Sequence, residues 1–350
     1  MRAFSKKHTL EFKIPSGTSR GVLTQKESWF IVIAHNSQFG IGECALLKGL
    51  SYDDEATYGQ KIEWVCNNIS LGEEKLLEAT QDFPSIQFGI EQAFLSLKNH
   101  NPFLFFPSDF TLNNASIAIN GLIWMGDRHF MFEQIKAKLE SGFSCIKMKI
   151  GAIDFEVELD LLHYIRKHFS AADIELRVDA NGAFEPSTAL DRLKLLSELE
   201  IHSIEQPIPT KNWDAMAELC ATSPLDIALD EELIGVFDPI EKTRLLESIR
   251  PQYIILKPSL LGGYVRSEEW ISSANDLKIG WWITSALESN IGLNAIAQWT
   301  YVLQNKLPQG LGTGGLYTNN FESPLTVSQG KLYYRNNLSW QADLIDQLCT

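Results

Sequence analysis

From Ser116 onward the chain alternates short apolar runs with segments of helical periodicity, and this alternation limits the fold more than any other feature. The runs are "IAINGLI" (117–123), "CIKMKI" (145–150), "ELRVDA" (175–180), "SIEQPI" (203–208), "DIALDE" (226–231), "YIILKP" (253–258), "IGWWITS" (279–285) and the Gly-rich "QGLGTGGLY" (309–317). Between them lie stretches such as "FEVELDLLHYIRKHF" (155–169) and "STALDRLKLLSELE" (187–200), which have the look of helices. Strands that alternate with helices form parallel βα units. Eight such runs in roughly 200 residues predict that the sheet closes into a barrel.

The first hundred residues have a different texture. "RGVLTQKESWFIVIAHNSQFGIGECALL" (20–47) predicts strands around the polar turn "HNSQFG". From "SYDDEATYGQKIEWVCNNI" (51–69) to "SIQFGIEQAFLSLKNH" (85–100) the period is that of amphipathic helices, with Ile86, Ile90, Ala93, Phe94 and Leu97 on one stripe. An α+β capping domain is expected over 1–115 and the barrel over 116–317. The strand-like tail "LTVSQGKLYYRNN" (325–337) is expected to bring residues 318–350 back onto the cap. The expected class is α/β: a (β/α)7–8 TIM-type barrel with an N-terminal α+β cap completed by the C-terminal tail.

Composition excludes several functions. No apolar run reaches the roughly 18 residues of a membrane span, and the opening "MRAFSKKHTLEFKIP" has no apolar core of a secretory signal. The five cysteines are scattered and lack CxxC spacing, which points to a reducing cytoplasm without a disulfide framework or zinc site. A net charge of -14 leaves no basic surplus for non-specific nucleic-acid binding. An anionic substrate would need local positive charge, from lysines or a metal. The chain is expected to act on a small anionic carboxylate, with no nucleic acid or membrane partner and with a homo-oligomer possible.

In a barrel of this kind the functional groups sit where each strand ends and its βα loop begins. Those places carry Lys147 and Lys149, Asp179 and Asn181, Glu205 and Gln206, Asp230 and Glu231, Lys257, then Ser285 and Glu288. From Lys149 through Asp179, Glu205 and Asp230 to Lys257 the residues recur every 25 to 30 positions, the length of one βα unit. On a barrel they form a ring at one mouth. Three crowded carboxylates cannot all stay ionised without a cation between them. Acidic oxygens from successive strands suit Mg²⁺, and no Cys or His stands at a strand end to favour a softer metal. Lys147 and Lys149 alternate with Ile146, Met148 and Ile150, so they point the same way. A lysine near a cation and partly desolvated is expected to have its pKa lowered toward neutrality, which makes it a general base. Such a base beside Mg²⁺ suits removal of the proton next to a carboxylate, through a metal-stabilised enediolate.

Each residue alone has an ordinary explanation. An Asp after a strand commonly caps the next helix, and two alternating lysines can be the solvated face of an edge strand. Glu205 is harder to dismiss, because "IEQPI" leaves a carboxylate in apolar surroundings where unpaired charge is costly. Together the ordinary readings need five independent coincidences. "GLGTGGLY" lacks the GK[ST] of a phosphate loop, and the seven histidines show no ligand-like spacing.

The motifs "CIKMKIG", "RVDANGAF", "IEQPI", "ALDEEL", "LKPSLLGG" and "TSALESNIGLNAIAQW" occur in the order of the muconate-lactonising subgroup of the enolase superfamily, which the chain resembles. "FGIGECALLKGLS" (39–51) and "FGIEQAFLSL" (88–97) extend the resemblance into the cap. It implies that Asp179, Glu205 and Asp230 resemble Mg²⁺ ligands, with Asn181 following in Asp-x-Asn. Lys149 resembles the proton-transferring lysine, Lys147 its partner at the substrate carboxylate, and Lys257 the lysine on the opposite face. Asn181, Ser285, Glu288, Gly312 and Thr313 are expected to contact substrate. Within the subgroup "LGTGGLYTNN" and "GECALLKGLS" look most like the o-succinylbenzoate synthases, which implies loss of water from 2-succinyl-6-hydroxy-2,4-cyclohexadiene-1-carboxylate in menaquinone synthesis. Arg20, Lys26 or Lys48 is then a candidate for the succinyl carboxylate. An N-acylamino-acid racemase or a dipeptide epimerase is the alternative, although no Asp-x-Asp stands near strand eight to grip an ammonium. A binding protein that kept the barrel and lost catalysis is a third reading.

Overall fold

The computed structural model describes residues 1–18 and 21–349. The cap begins with an antiparallel sheet in the order β1 (Arg2–Thr18), β2 (Gly21–His35), β3 (Gln38–Cys44). Asn36 and Ser37, both at positive φ (47° and 62°), form the two-residue turn expected from "HNSQFG". Helices α1 (Tyr58–Asn67), α2 (Glu73–Ala79) and α3 (Pro84–Lys98) follow, and the short α4 (Asp109–Leu112) leads toward the barrel. The stripe expected on α3 is real: Ile86, Ile90 and Ala93 are buried with Ile31, Ile33, Ile62 and Val65 in one cluster. The helix lies almost on the backbone of β3, because a Cβ on Gly42 would fall 1.9 Å from the Gly89 carbonyl oxygen and one on Gly40 would fall 2.0 Å from that of Ala93.

The run "IAINGLI" divides at Asn120. Its first half, β4 (Ser116–Ala118), joins a small antiparallel sheet, and its second half, β5 (Gly121–Ile123), starts the barrel. The parallel sheet continues through β6 (Cys145–Lys149), β7 (Glu175–Asp179), β8 (Ser203–Glu205), β9 (Ile227–Leu229), β10 (Tyr253–Leu256) and β11 (Gly280–Ile283), seven neighbours in chain order. The ring is completed by Gln309 and Gly310. Gln309 exchanges backbone hydrogen bonds with Ala118 and Asn120 on one side, and Gly310 does so with Ile283 and Ser285 on the other. The eighth run therefore supplies a two-residue stave rather than a full strand. Glycine is required there, since a Cβ on Gly310 would sit 1.9 Å from Thr284 Oγ1.

Helices α5 (Arg128–Glu140), α6 (Phe155–His168), α7 (Pro186–Ser197), α8 (Trp213–Thr222), α9 (Pro239–Ile249), the pair α10 (Pro258–Leu261) and α11 (Gly263–Asp276), and α12 (Asn290–Val302) follow successive strands. The tail returns in two pieces. The hairpin β12 (Leu325–Ser328) and β13 (Lys331–Tyr334) pairs with β4 rather than with the cap sheet, and Tyr334 rests against Phe110. Helix α13 (Leu344–Cys349) buries Leu344 and Leu348 with Phe30, Val32 and Ile41 of the cap and with Ile291 and Ala295 of α12. One apolar cluster thus cements cap, barrel and tail. Polar ties reinforce it: Glu91 of α3 accepts from the Tyr264 N–H at 2.5 Å, and Gln298 of α12 accepts from the Phe105 N–H at 2.9 Å.

Adding one methyl at Gly42 tests this close approach. Gly42→Ala is expected to destabilise the protein by about 1–3 kcal/mol, the usual cost of overpacking, read as a lowered urea midpoint at unchanged slope.

Candidate active site

The strand carrying "CIKMK" is buried at all five residues, so its two lysines lie inside the molecule. Register explains their company. Lys149 pairs with Asp179 on β7, and Asp179 pairs with Glu205 on β8. Glu205 pairs with Ala228, so Asp230 stands two residues further along, as the stagger of a closed barrel demands. Lys257 follows β10 and completes the arc.

Lys147 bridges Asp179 Oδ2 (2.9 Å) and Glu205 Oε2, while Lys149 donates to Asp179 Oδ2 and Asn181 Oδ1, both at 2.8 Å. Lys257 donates to Asp230 Oδ2. Burial works against the Lys147 charge, yet Asp179, Glu205 and Asp230 outweigh it and hold the ammonium above the ordinary lysine range. Lys257 is raised likewise, with burial opposed by Asp230 and Glu205. The lowering expected for a lysine beside a cation belongs to a metal-loaded site; with the carboxylates turned onto them, Lys147 and Lys257 are held in the charged form. Asp179 is held well below the carboxylate range: burial opposes this, and Lys147 and Lys149 prevail. Glu205 goes the other way, raised by burial and by the neighbouring Asp179.

The donor set fits a hard divalent ion. Three buried carboxylates converge from adjacent strands, and Glu205 Oε1 is buried with no hydrogen-bond partner among the described residues, its nearest cation being Lys257 at 4.0 Å. Their oxygens are turned onto the lysine ammonium groups, and among the described residues no three acidic, His or Cys side chains close around one point. Binding an ion there requires these carboxylates to turn from lysine toward metal.

Above the arc lies a cavity of about 400 Å³. Lys147, Lys149, Asp179, Asn181 and Lys257 line it on one side, and Ser285, Gly312 and Thr313 on the other. Ser285 and Thr313 join hydroxyls at 2.8 Å. Glu205 and Asp230 lie behind, reached through Lys147 and Lys257. Glu288 is a correction: it does not line the cavity, and its fully buried carboxyl accepts from Ser259 Oγ at 2.5 Å. A left-handed Leu287 (φ 62°) precedes it, a turn in the backbone that the sequence does not announce. Of the three cations considered for a second carboxylate, Lys48 lines the cavity, Lys26 is buried away from it, and Arg20 lies outside the described residues.

The cap closes the cavity with Leu23, Leu47 and Leu50. The sequence pattern points in this part of the cap to the cations Arg20, Lys26 and Lys48 and not to these leucines. It misses the first barrel unit, where Asn120, Leu122, Trp124, Gln134 and Lys138 also form the wall. Asn120, the one polar residue inside "IAINGLI", was the available signal.

A family model described as "Enolase C-terminal domain-like" matches residues 131–337. The chain belongs to that family. It is 48% identical over 354 residues to an o-succinylbenzoate synthase of Desulfotalea psychrophila, a match covering 92% of this chain and 96% of the relative. A solved structure of MenC from the same organism superposes with TM-score 0.86 at 44% identity, over 95% of this chain and 99% of that one. A dipeptide epimerase from Cytophaga hutchinsonii, solved with Mg and the dipeptide D-Ala-L-Val, has TM-score 0.83 at 19% identity, covers 99% of this chain and 97% of its own, and so shares the fold.

In this member of the family Lys147 is the hinge of the charge arrangement. Lys147→Met, which leaves two buried carboxylates without their common counter-ion, is expected to destabilise by about 3–5 kcal/mol. Thermal melting of the metal-free protein would read it, and an unchanged midpoint would mean that the carboxylates are not held through Lys147.

Proposed function

We propose that this protein is an o-succinylbenzoate synthase, acting in the cytoplasm in menaquinone biosynthesis. It removes water from 2-succinyl-6-hydroxy-2,4-cyclohexadiene-1-carboxylate to give 2-succinylbenzoate. Likeness to one such synthase over nearly the whole chain supports this reading. The observation from the site that carries it is the lysine-rich cavity wall: among the described residues Lys48, Lys138, Lys147, Lys149 and Lys257 line it, and a divalent ion held by Asp179, Glu205 and Asp230 would free three of them from their acids. In a protein of net charge -14 that is a local trap for a dianion. A dipeptide's ammonium finds no acid near strand eight, where the wall is Gly310, Gly312 and Thr313.

Lys149, deprotonated, takes the proton from the carbon that bears the ring carboxylate. The carbon–oxygen bond to the ring hydroxyl then breaks on the same face, and the departing hydroxide recovers that proton from Lys149 as water. Asn181, whose Oδ1 accepts from Lys149 Nζ, holds it in one place through both transfers. Lys147 supports the ring carboxylate beside it. Lys257, several strands round the barrel from Lys149, lies over the ring, where an ammonium is attracted to the developing aromatic face. Asp179, Glu205 and Asp230 would hold Mg²⁺, which when bound supplies Lewis-acid stabilisation of charge developing on the carboxylate. Aromatisation drives the step, so the demands on the site are modest.

Incubation of the purified protein with the cyclohexadiene substrate, with Mg²⁺ and with chelator, is expected to show aromatic absorbance only with Mg²⁺. Lys149→Ala is expected to lower turnover by about 10²–10⁴-fold, the usual worth of a general base, with unchanged circular dichroism. Near-normal activity in that variant would place the base elsewhere. Racemisation of N-acyl amino acids without any dehydration would favour the isomerase reading.

A further inference from the structure

A second set of buried charges lies at the seam between cap and barrel, outside the cavity. Glu43 of β3 is fully buried. Its Oε1 accepts from Ser28 Oγ at 2.7 Å and the Ser289 N–H at 2.9 Å, and its Oε2 accepts from Ser289 Oγ at 2.5 Å and the Gly292 N–H at 2.9 Å. A carboxylate of the cap therefore satisfies the first turn of a barrel helix, α12, where negative charge is favoured. Lys26 of β2 donates to Ser28 Oγ at 2.9 Å. Glu288 stands just before Ser289 and accepts from Ser259 Oγ at 2.5 Å, while its Oε2 has no hydrogen-bond partner among the described residues. Burial pushes the Glu288 carboxyl up to about 7 and the Lys26 ammonium down, while Lys26 pulls Glu288 back toward its charged form.

These groups are costly where they are. Two carboxylates and one ammonium out of water are tolerated only if they answer one another, and apolar residues would close the seam as well. What they connect is informative. Lys26 is three residues from Leu23, the part of β2 that covers the cavity. Glu288 directly follows Ser285, Ala286 and Leu287, the wall facing the lysines. Ser259 is two residues beyond Lys257. The carbonyl of the left-handed Leu287 accepts from the buried Tyr317 Oη at 2.7 Å.

We infer that Lys26, Glu43 and Glu288, linked through Ser28, Ser289 and Ser259, form a latch that sets the cap strand, the 285–287 wall and Lys257 in register around the substrate. They are positioning residues and touch no reacting atom. The latch acts on affinity, because the parts it aligns enclose the substrate rather than transfer its proton. Its kinetic reading rests on the proposed function, so one readout is chosen that does not.

Glu288→Gln, Lys26→Met and the double variant provide the test, each assayed well below its own melting temperature. Each single variant is expected to raise KM for the cyclohexadiene substrate by about tenfold with kcat within about twofold of wild type. The double variant, which loses one charge of each sign, is expected to lie closer to wild type than Lys26→Met. Hydrogen exchange of the free protein is expected to show residues 22–25 and 285–288 loosening together in either single variant. If Lys26→Met does not fold, Ser259→Ala replaces it, since that change removes only the hydroxyl donor to Glu288. Unchanged KM and unchanged exchange, with only the melting temperature lowered, would overturn the latch and leave the seam as scaffold. If wild type turns nothing over, the proposed function fails, and the exchange result alone decides the latch.

Discussion

The fold and the site both depend on the pairing of buried ammonium and carboxylate groups across neighbouring barrel strands. Lys147 and Lys149 with Asp179, Glu205 and Asp230 are buried, and Lys257 beside them is only slightly exposed. None would be stable there alone, since an isolated buried charge costs several kcal/mol. They persist because parallel register sets Lys149 beside Asp179 and Asp179 beside Glu205. Shift β7 by one residue and Asp179 would turn into the helix layer, stranding its partners. The same pairs that hold the barrel mouth together therefore also define what the mouth can bind.

The rest of the molecule completes a container for that charge. Leucines of the cap roof the cavity and exclude water, which strengthens every electrostatic interaction beneath them. The roof is not a separate body laid on top. The Phe30, Val32 and Ile41 face of the cap sheet, helix α12 of the barrel and α13 of the tail share one apolar cluster, and Glu43 reaches across to cap α12. The cavity wall is thereby divided: the barrel supplies the acid and all the lysines but Lys48, and the cap adds Lys48 and an apolar roof.

Much of this was legible in the sequence because it follows from periodicity. Apolar runs separated by helices gave parallel strands, and charges recurring once per βα unit placed Lys149, Asp179, Glu205, Asp230 and Lys257 on one arc. What periodicity could not reach lay in irregular backbone. Glu288 looked like one more strand-end acid, yet the left-handed Leu287 turns the chain and sends its carboxyl to Ser259. "IAINGLI" reads as one strand, but Asn120 interrupts it, leaving its halves in different sheets. The eighth stave is two residues long because Gly310 has to pass against Thr284, a tertiary contact with no local signature. Without a metal, the charge on Lys147 is set by its acids rather than by burial. Three carboxylates outweigh burial there, a balance that depends on which strands are neighbours and so has no local signature.

The most direct test of the central claim is a crystal structure of Lys149→Ala with Mg²⁺ and the cyclohexadiene substrate bound. The account predicts that the carbon bearing the ring carboxylate lies about 3–3.5 Å from where Lys149 Nζ would be, a distance suited to proton transfer, with Mg²⁺ held by Asp179, Glu205 and Asp230. A substrate bound with its ring carboxylate away from Lys147 and those acids would contradict it.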